Sequence, residues 1–188
     1  ATKFASRLAE KVQGVLYPTQ WNAMTALPHR VSSEIPSDLY VQLIDAWLKG
    51  LREVGFHKTL VVTGHYAQGH LIEWYRAAIR AMDRGMVVYV ASPLEPLGDG
   101  DLLDHAGYWE AAQYLALFPG SARSERYDPT KTSKETALLG KDPREATAEV
   151  GSEILEKSLL AWESWVNCDA EALRNHYAAS EAAMSGYV

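Results

Sequence analysis

The segment Gly64-His65-Tyr66-Ala67-Gln68-Gly69-His70 directly follows a run of β-branched and apolar residues, Thr59 to Thr63. In an open α/β sheet, ligands bind outside the carboxyl ends of the strands, and the two glycines let the backbone turn sharply at this point. A neutral imidazole so placed is a good ligand for a divalent ion of the zinc or manganese type. His65 is therefore a candidate metal ligand, set against the plainer reading of a buried, hydrogen-bonded histidine. The segment lacks the spacing and the lysine of a phosphate-binding loop. His70 and Glu73 lie three apart and can share a helical face, a spacing that metal sites use and that solvated faces also produce. A second segment, Asp104-His105-Ala106-Gly107-Tyr108-Trp109-Glu110, places a histidine and two carboxylates at the start of a helix. There the positive dipole end favours anionic groups, and general acid/base chemistry becomes available to His105 and Glu110. The plainer alternative makes Asp104 a helix cap and Glu110 a solvated side chain.

These residues need a framework. Phe4, Leu8 and Val12 recur at four-residue intervals and predict a helix over 2–13, ended by Gly14. Gly14 to Pro18 reads as a short buried strand followed by a loop over 19–34. Leu39, Leu43, Ile44, Trp47, Leu48 and Leu51 predict an amphipathic helix from about Ser37 to Gly55. Thr59 to Thr63 has the composition of a strand buried on both faces. A helix over 68–83 and a second buried strand over 86–91 repeat the alternation, so the fold class is α/β with a mostly parallel sheet. Helices are also expected over 107–118 and 144–167, a polar excursion over 121–143, and a helical tail from Ala170.

The chain has 188 residues, 47% of them hydrophobic and 22% charged, which suits one soluble domain with a real core. The net charge of −6 without a basic run excludes a phosphate-backbone partner. No apolar stretch is long enough to span a bilayer and no signal sequence opens the chain, so the expectation is a cytoplasmic protein. The lone Cys168 excludes an intramolecular disulfide and is assigned no role. Six Trp and ten Tyr exceed what such a core needs and point to subunit interfaces.

Taken together, Leu60-Val61-Val62-Thr63-Gly64-His65-Tyr66 and His105-Ala106-Gly107-Tyr108-Trp109-Glu110 resemble the creatininase family. Its members read Asn-Gly-His at the first of these stretches and His-Ala-Gly followed by Glu-Thr at the second. The stretch 51–58, Leu115 to Pro119, Asp142 to Thr147, and Gly151 with Ile154-Leu155-Glu156 carry the resemblance further, so that it spans about residues 3–165.

The resemblance implies a three-layer α/β/α sandwich, usually assembled into hexamers, that hydrolyses C–N bonds of cyclic or linear amides with two bridged divalent metals, Zn or Mn. It makes His65 a metal ligand and His105 the histidine that moves protons near the substrate. Glu110 matches a family glutamate, and Tyr66, Tyr108 and Trp109 are expected to wall the substrate pocket. The departures are specific. The family's first ligand segment, Glu-x-His followed by an Asp, is expected to be missing together with the first sheet strand, leaving an edge for a partner to cover. A further carboxylate ligand should stand at position 67 or 108, where the sequence has Ala67 and Tyr108. His65 alone remains of the expected set, with His29, His70 and Glu73 as reserves, and one imidazole does not hold a dinuclear centre. Three readings follow: a non-catalytic subunit working in a homo- or hetero-oligomer, possibly with a full-length creatininase-like partner; an active amidohydrolase completed by a second chain; and a binding protein for a small amide.

Overall fold

The computed structural model describes residues 1–26 and 32–185. In chain order its regular elements are α1 (Thr2–Lys11), α2 (Ser37–Glu53), β1 (Lys58–Val62), α3 (Gln68–Met82), β2 (Val87–Ala91), α4 (Tyr108–Leu117), α5 (Ser133–Thr136), α6 (Ala148–Trp165) and α7 (Ala170–Ser185), with short 3-10 turns between β2 and α6. They fall into two compact units, one made of Ala1–Leu16 with Pro93–Trp165 and the other of Tyr17–Ser92 with Val166–Val188.

In the first unit α6 is the central support. α1 turns Phe4 and Leu8 inward, and the Phe4 ring lies 6.3 Å from that of Trp162 on α6. Trp162 Nε1 donates to the Pro93 carbonyl at 3.1 Å, and Ser158 Oγ donates to the same oxygen, which ties α6 to the chain that enters the unit. α4 crosses α6 where Gly151 rests on the carbonyl of Ala112; a Cβ at position 151 would overlap that oxygen. A glycine is required there by the close approach of two backbones. α6 begins later than its periodicity predicts. Asp142 accepts from the Arg144 amide at 2.9 Å and pairs with the Arg144 guanidinium, so Pro143–Glu145 forms a separate 3-10 turn before the helix starts.

In the second unit β1 and β2 pair in parallel, with Lys58 opposite Val87 and Val62 opposite Ala91. β2 is buried while β1 is half-buried, so the expected burial of both strands holds for one of them. The difference lies in what covers them: α3 packs on β2, and α7 brings the buried Tyr177 to it. The Val90 amide donates to Tyr177 Oη at 2.7 Å, and that hydroxyl donates to the Val88 carbonyl at 2.9 Å. A side chain thus satisfies backbone groups that another strand would otherwise take.

The stretch Val15 to Pro18 is not the buried strand its composition suggests. Val15 is 78% and Tyr17 52% exposed, and among the described residues the only strands are β1 and β2. β-propensity expresses a fit to a half-buried ladder, and this stretch has no ladder to join. No helix among the described residues is long and apolar enough to cross a membrane.

Candidate functional site

The sequence-predicted residues divide between the two units, His65 and Tyr66 in the second and His105, Tyr108, Trp109 and Glu110 in the first. Each set is built by its own local structure.

At the carboxyl end of β1, Thr63 folds the chain over. Its hydroxyl donates to the His65 carbonyl at 2.6 Å and accepts from the His65 amide at 3.1 Å. The half-buried imidazole then donates from Nε2 to the Met24 carbonyl at 2.9 Å. Because a carbonyl only accepts, this contact fixes the proton on Nε2 and leaves the lone pair on Nδ1. The T-shaped neighbour of His65 is His70, whose ring centroid is 4.8 Å away. His70 is 2% exposed and opens the first turn of α3 toward the core. Its Nε2 lies 3.3 Å from Thr63 Oγ1 and 3.5 Å from Tyr40 Oη, and Trp74 Nε1 donates to that hydroxyl at 3.0 Å. His70 Nδ1 is buried without a hydrogen-bond partner. Burial, and secondarily the adjacent His65, hold its pKa down to about 4, so the ring is neutral at physiological pH. Burial likewise pushes the Tyr40 hydroxyl up to about 12. Glu73, the helical companion of His70 in the sequence, pairs instead with Arg76 at 2.7 Å, so the two do not form a ligand pair. His29 lies outside the described residues.

In the first unit Asp104 organises the start of α4. Its carboxylate accepts from the amides of Trp109 at 2.7 Å and Glu110 at 3.0 Å. Desolvation raises the Asp104 pKa against the pull of these two bonds. Glycines make room for this side chain: a Cβ at Gly107 would stand 2.5 Å from Asp104 Oδ2, and one at Gly140 would stand 2.6 Å from its Cβ. His105 exchanges backbone bonds with Leu139, at 2.8 and 2.9 Å, and its Nδ1 donates to the Ala137 carbonyl at 2.7 Å. That tautomer presents Nε2 as a proton acceptor, the state a general base requires. Ala106 is held in the left-handed region at φ 53°, and its amide donates to Glu110 Oε2 at 2.7 Å. Glu110 therefore supports a strained residue of the kind that clusters at functional sites. Tyr108 and Trp109 meet edge to face with centroids 4.9 Å apart, and Trp109 Nε1 is buried without a hydrogen-bond partner. Met24, Thr63 and Ala137 are the supports that spacing alone did not single out; Asp104, read in the sequence either as a carboxylate of the site or as a helix cap, accepts amides at the start of α4 as a cap does.

The sequence profile of the creatininase family, described as creatinine amidohydrolase, matches residues 1–166. The chain belongs to the creatininase family. Its fold is similar to that of solved creatininases. A structure described as creatinine amidohydrolase (creatininase) shares 17% identity over 94% of this chain and 80% of its own, with a TM-score of 0.66. One described as creatininase Mn shares 16% over 94% and 81%, with a TM-score of 0.68. A creatininase mutant of the Zn–Zn type shares 17% over 94% and 81%, with a TM-score of 0.66. No curated protein is significantly similar in sequence.

The residues present do not fit the two-metal centre that the creatininase family implies. Beside His65 stand the Thr63 hydroxyl and a second imidazole with a buried, neutral ring, and among the described residues no carboxylate forms a hydrogen bond or ion pair with it. Among the described residues no group of three or more His, Cys, Asp or Glu is arranged to hold a metal ion. Hard divalent pairs need bridging carboxylates, so no step through a metal follows from this chain's own residues.

Proposed function

We propose that this creatininase-family chain is a cytoplasmic subunit with a degenerate metal site that works within an oligomer, related to metal-dependent hydrolases of C–N bonds in cyclic or linear amides. The observation that carries the reading is the pair Ala67 and Tyr108. Ala67 is the residue that leads into α3 and Tyr108 is the first residue of α4, the two places where the family resemblance calls for a carboxylate ligand. Neither side chain can supply one, and of the ligand positions that the resemblance marks within residues 1–188 only His65 carries a ligand-type side chain. Oligomerisation is supported by large apolar side chains in the open, Trp21 at 87% and Leu160 at 59% exposure. The single cysteine, with no partner to oxidise, supports the cytoplasmic assignment.

His105 favours a second reading, an amidohydrolase completed by a partner chain. A histidine held as the Nε2 acceptor by a 2.7 Å bond to Ala137 is ready to take a proton. In that reading Glu110 keeps Ala106 in place and Tyr108 and Trp109 serve the substrate side in the first unit, while in the second unit His65, followed by Tyr66, offers one ligand to Zn or Mn. One experiment separates the two. The chain is purified alone and co-expressed with a full-length creatininase-like partner, and metal is measured by plasma mass spectrometry after dialysis beside light scattering and an amide-hydrolysis assay. The subunit reading expects fewer than two metal equivalents, a mass well above the 20.8 kDa of one chain, and no turnover that depends on His105. Two tightly held equivalents in the isolated chain, or turnover lost on His105→Ala, would overturn it.

A further inference from the structure

We propose that the cleft between α2 and α3 binds a small organic anion with an apolar body. The cleft encloses about 260 Å³. That is just under the ~300 Å³ at which pockets for drug-sized ligands begin, so it suits a compound of one or two rings. Its floor is apolar and buried. Ala77 and Ala81 stand one turn apart on α3, and their short side chains keep the flanks of the two helices open beside Leu48 and Met86.

The rim is cationic. Lys49 and Arg52 on α2 and Arg84 in the turn after α3 all line the cleft. Arg52 Nη1 donates to the Arg84 carbonyl at 2.8 Å, which fixes one guanidinium beside the residue that carries the other. Neither guanidinium is in an ion pair with a carboxylate among the described residues, although the chain is acidic overall, with a net charge of −6. Elsewhere in the same unit Arg76 and Arg174 each hold a carboxylate at 2.7 Å, so pairing is the usual arrangement here. Lys49 meets Glu53 only at 3.7 Å. The one carboxylate in the lining, Asp45, is taken by Arg80 at 3.0 Å and so does not cancel the rim. Two guanidinia and an ammonium above an apolar floor would hold a carboxylate or phosphate head by charge-assisted hydrogen bonds while the ring packs on the two alanines.

The test uses naphthoate and its neutral counterpart naphthalenemethanol, titrated calorimetrically into the full chain at low ionic strength. Arg84→Gln and the double variant Arg52→Gln/Arg84→Gln are compared with the parent after circular dichroism has shown unchanged melting. Arg84→Gln changes an exposed side chain whose head bonds no backbone group among the described residues, so it keeps the test valid if the Arg52 change perturbs the turn. Naphthoate is expected to bind the parent at least tenfold more tightly than the alcohol. It should lose about tenfold or more with the double variant, a smaller factor with Arg84→Gln, and affinity at high salt. Failure of naphthoate to bind, equal binding of the neutral ring, or unchanged affinity in the double variant would each overturn the assignment.

Discussion

The ring of His70 meets that of His65 at 77° with centroids 4.8 Å apart, so the histidine that follows β1 packs edge to face against a buried imidazole. Protonating His70 would put a cation in the core beside Thr63 and Tyr40, and the ordinary value of 6.5 falls to about 4 as a result. With the folded pKa below the unfolded one, the unfolded chain binds the proton more tightly in the window between them. Stability is complete above the unfolded value and is lost as pH falls from about 6.5 toward 4, by an amount on the order of 3 kcal/mol. Urea unfolding in chelator across that range should show the loss, and His70→Gln should flatten it. A stability profile without slope there would contradict the buried, neutral ring.

His105→Ala removes the donor to Ala137 while leaving the backbone bridge to Leu139 in place. A loss of about 1 kcal/mol is expected, which for a chain of this length lowers the melting temperature by roughly 2–4 °C. Calorimetric melting of the variant checks it, and an unchanged Tm would mean that the Ala137 bond contributes nothing in solution.

Asp104 and Gly107 should behave as a coupled pair. Asp104→Ala strips two amides at the start of α4 of their acceptor and should cost about 1–2 kcal/mol. Gly107→Ala drives a methyl against the same carboxylate. The two closest contacts, with Oδ2 and Cγ, go with the carboxylate and leave only the Cβ at 3.2 Å, so the double variant should be less destabilised than the sum of the singles. Strict additivity in a urea double-mutant cycle would show that the two do not touch.

Gly151→Ala should push α4 from α6 and cost about 1–3 kcal/mol, because the obstacle is the Ala112 backbone and not a flexible side chain. Gly50→Ala is the matched control. It lies inside α2 with nothing within 4 Å of the added methyl, and should stabilise by roughly 0.5–1 kcal/mol. Thermal melts of the two variants should therefore move in opposite directions.

The long helices and both strands were legible in the sequence, most clearly where a periodic face is buried, as with Phe4 and Leu8 in α1, Ile44 and Leu48 in α2, and Val88 and Val90 in β2; the short α5, which buries nothing, was not. What failed was burial read from composition alone, as at Val15 to Pro18, where strand-like residues have no partner. Motif positions were legible too, His65 after β1 and His105 before α4. Their supports were not, since the Met24 and Ala137 carbonyls that set the two tautomers belong to residues of ordinary type 41 and 32 positions away. Long-range backbone acceptors leave no mark in side-chain pattern. Glu110 could be read as a solvated or an acidic catalytic group, and only the fold shows it reaching back to the Ala106 amide.

The bridge between His105 and Leu139 also closes residues 106–138 into a loop pinned at its base. Loop-closure entropy rises slowly with length, about 0.6 kcal/mol for each doubling, so residues inserted within the polar excursion beyond α4 would cost little and leave the base unmoved. The chain can therefore change the length of that excursion, and with it the surface it presents, without disturbing the orientation of His105.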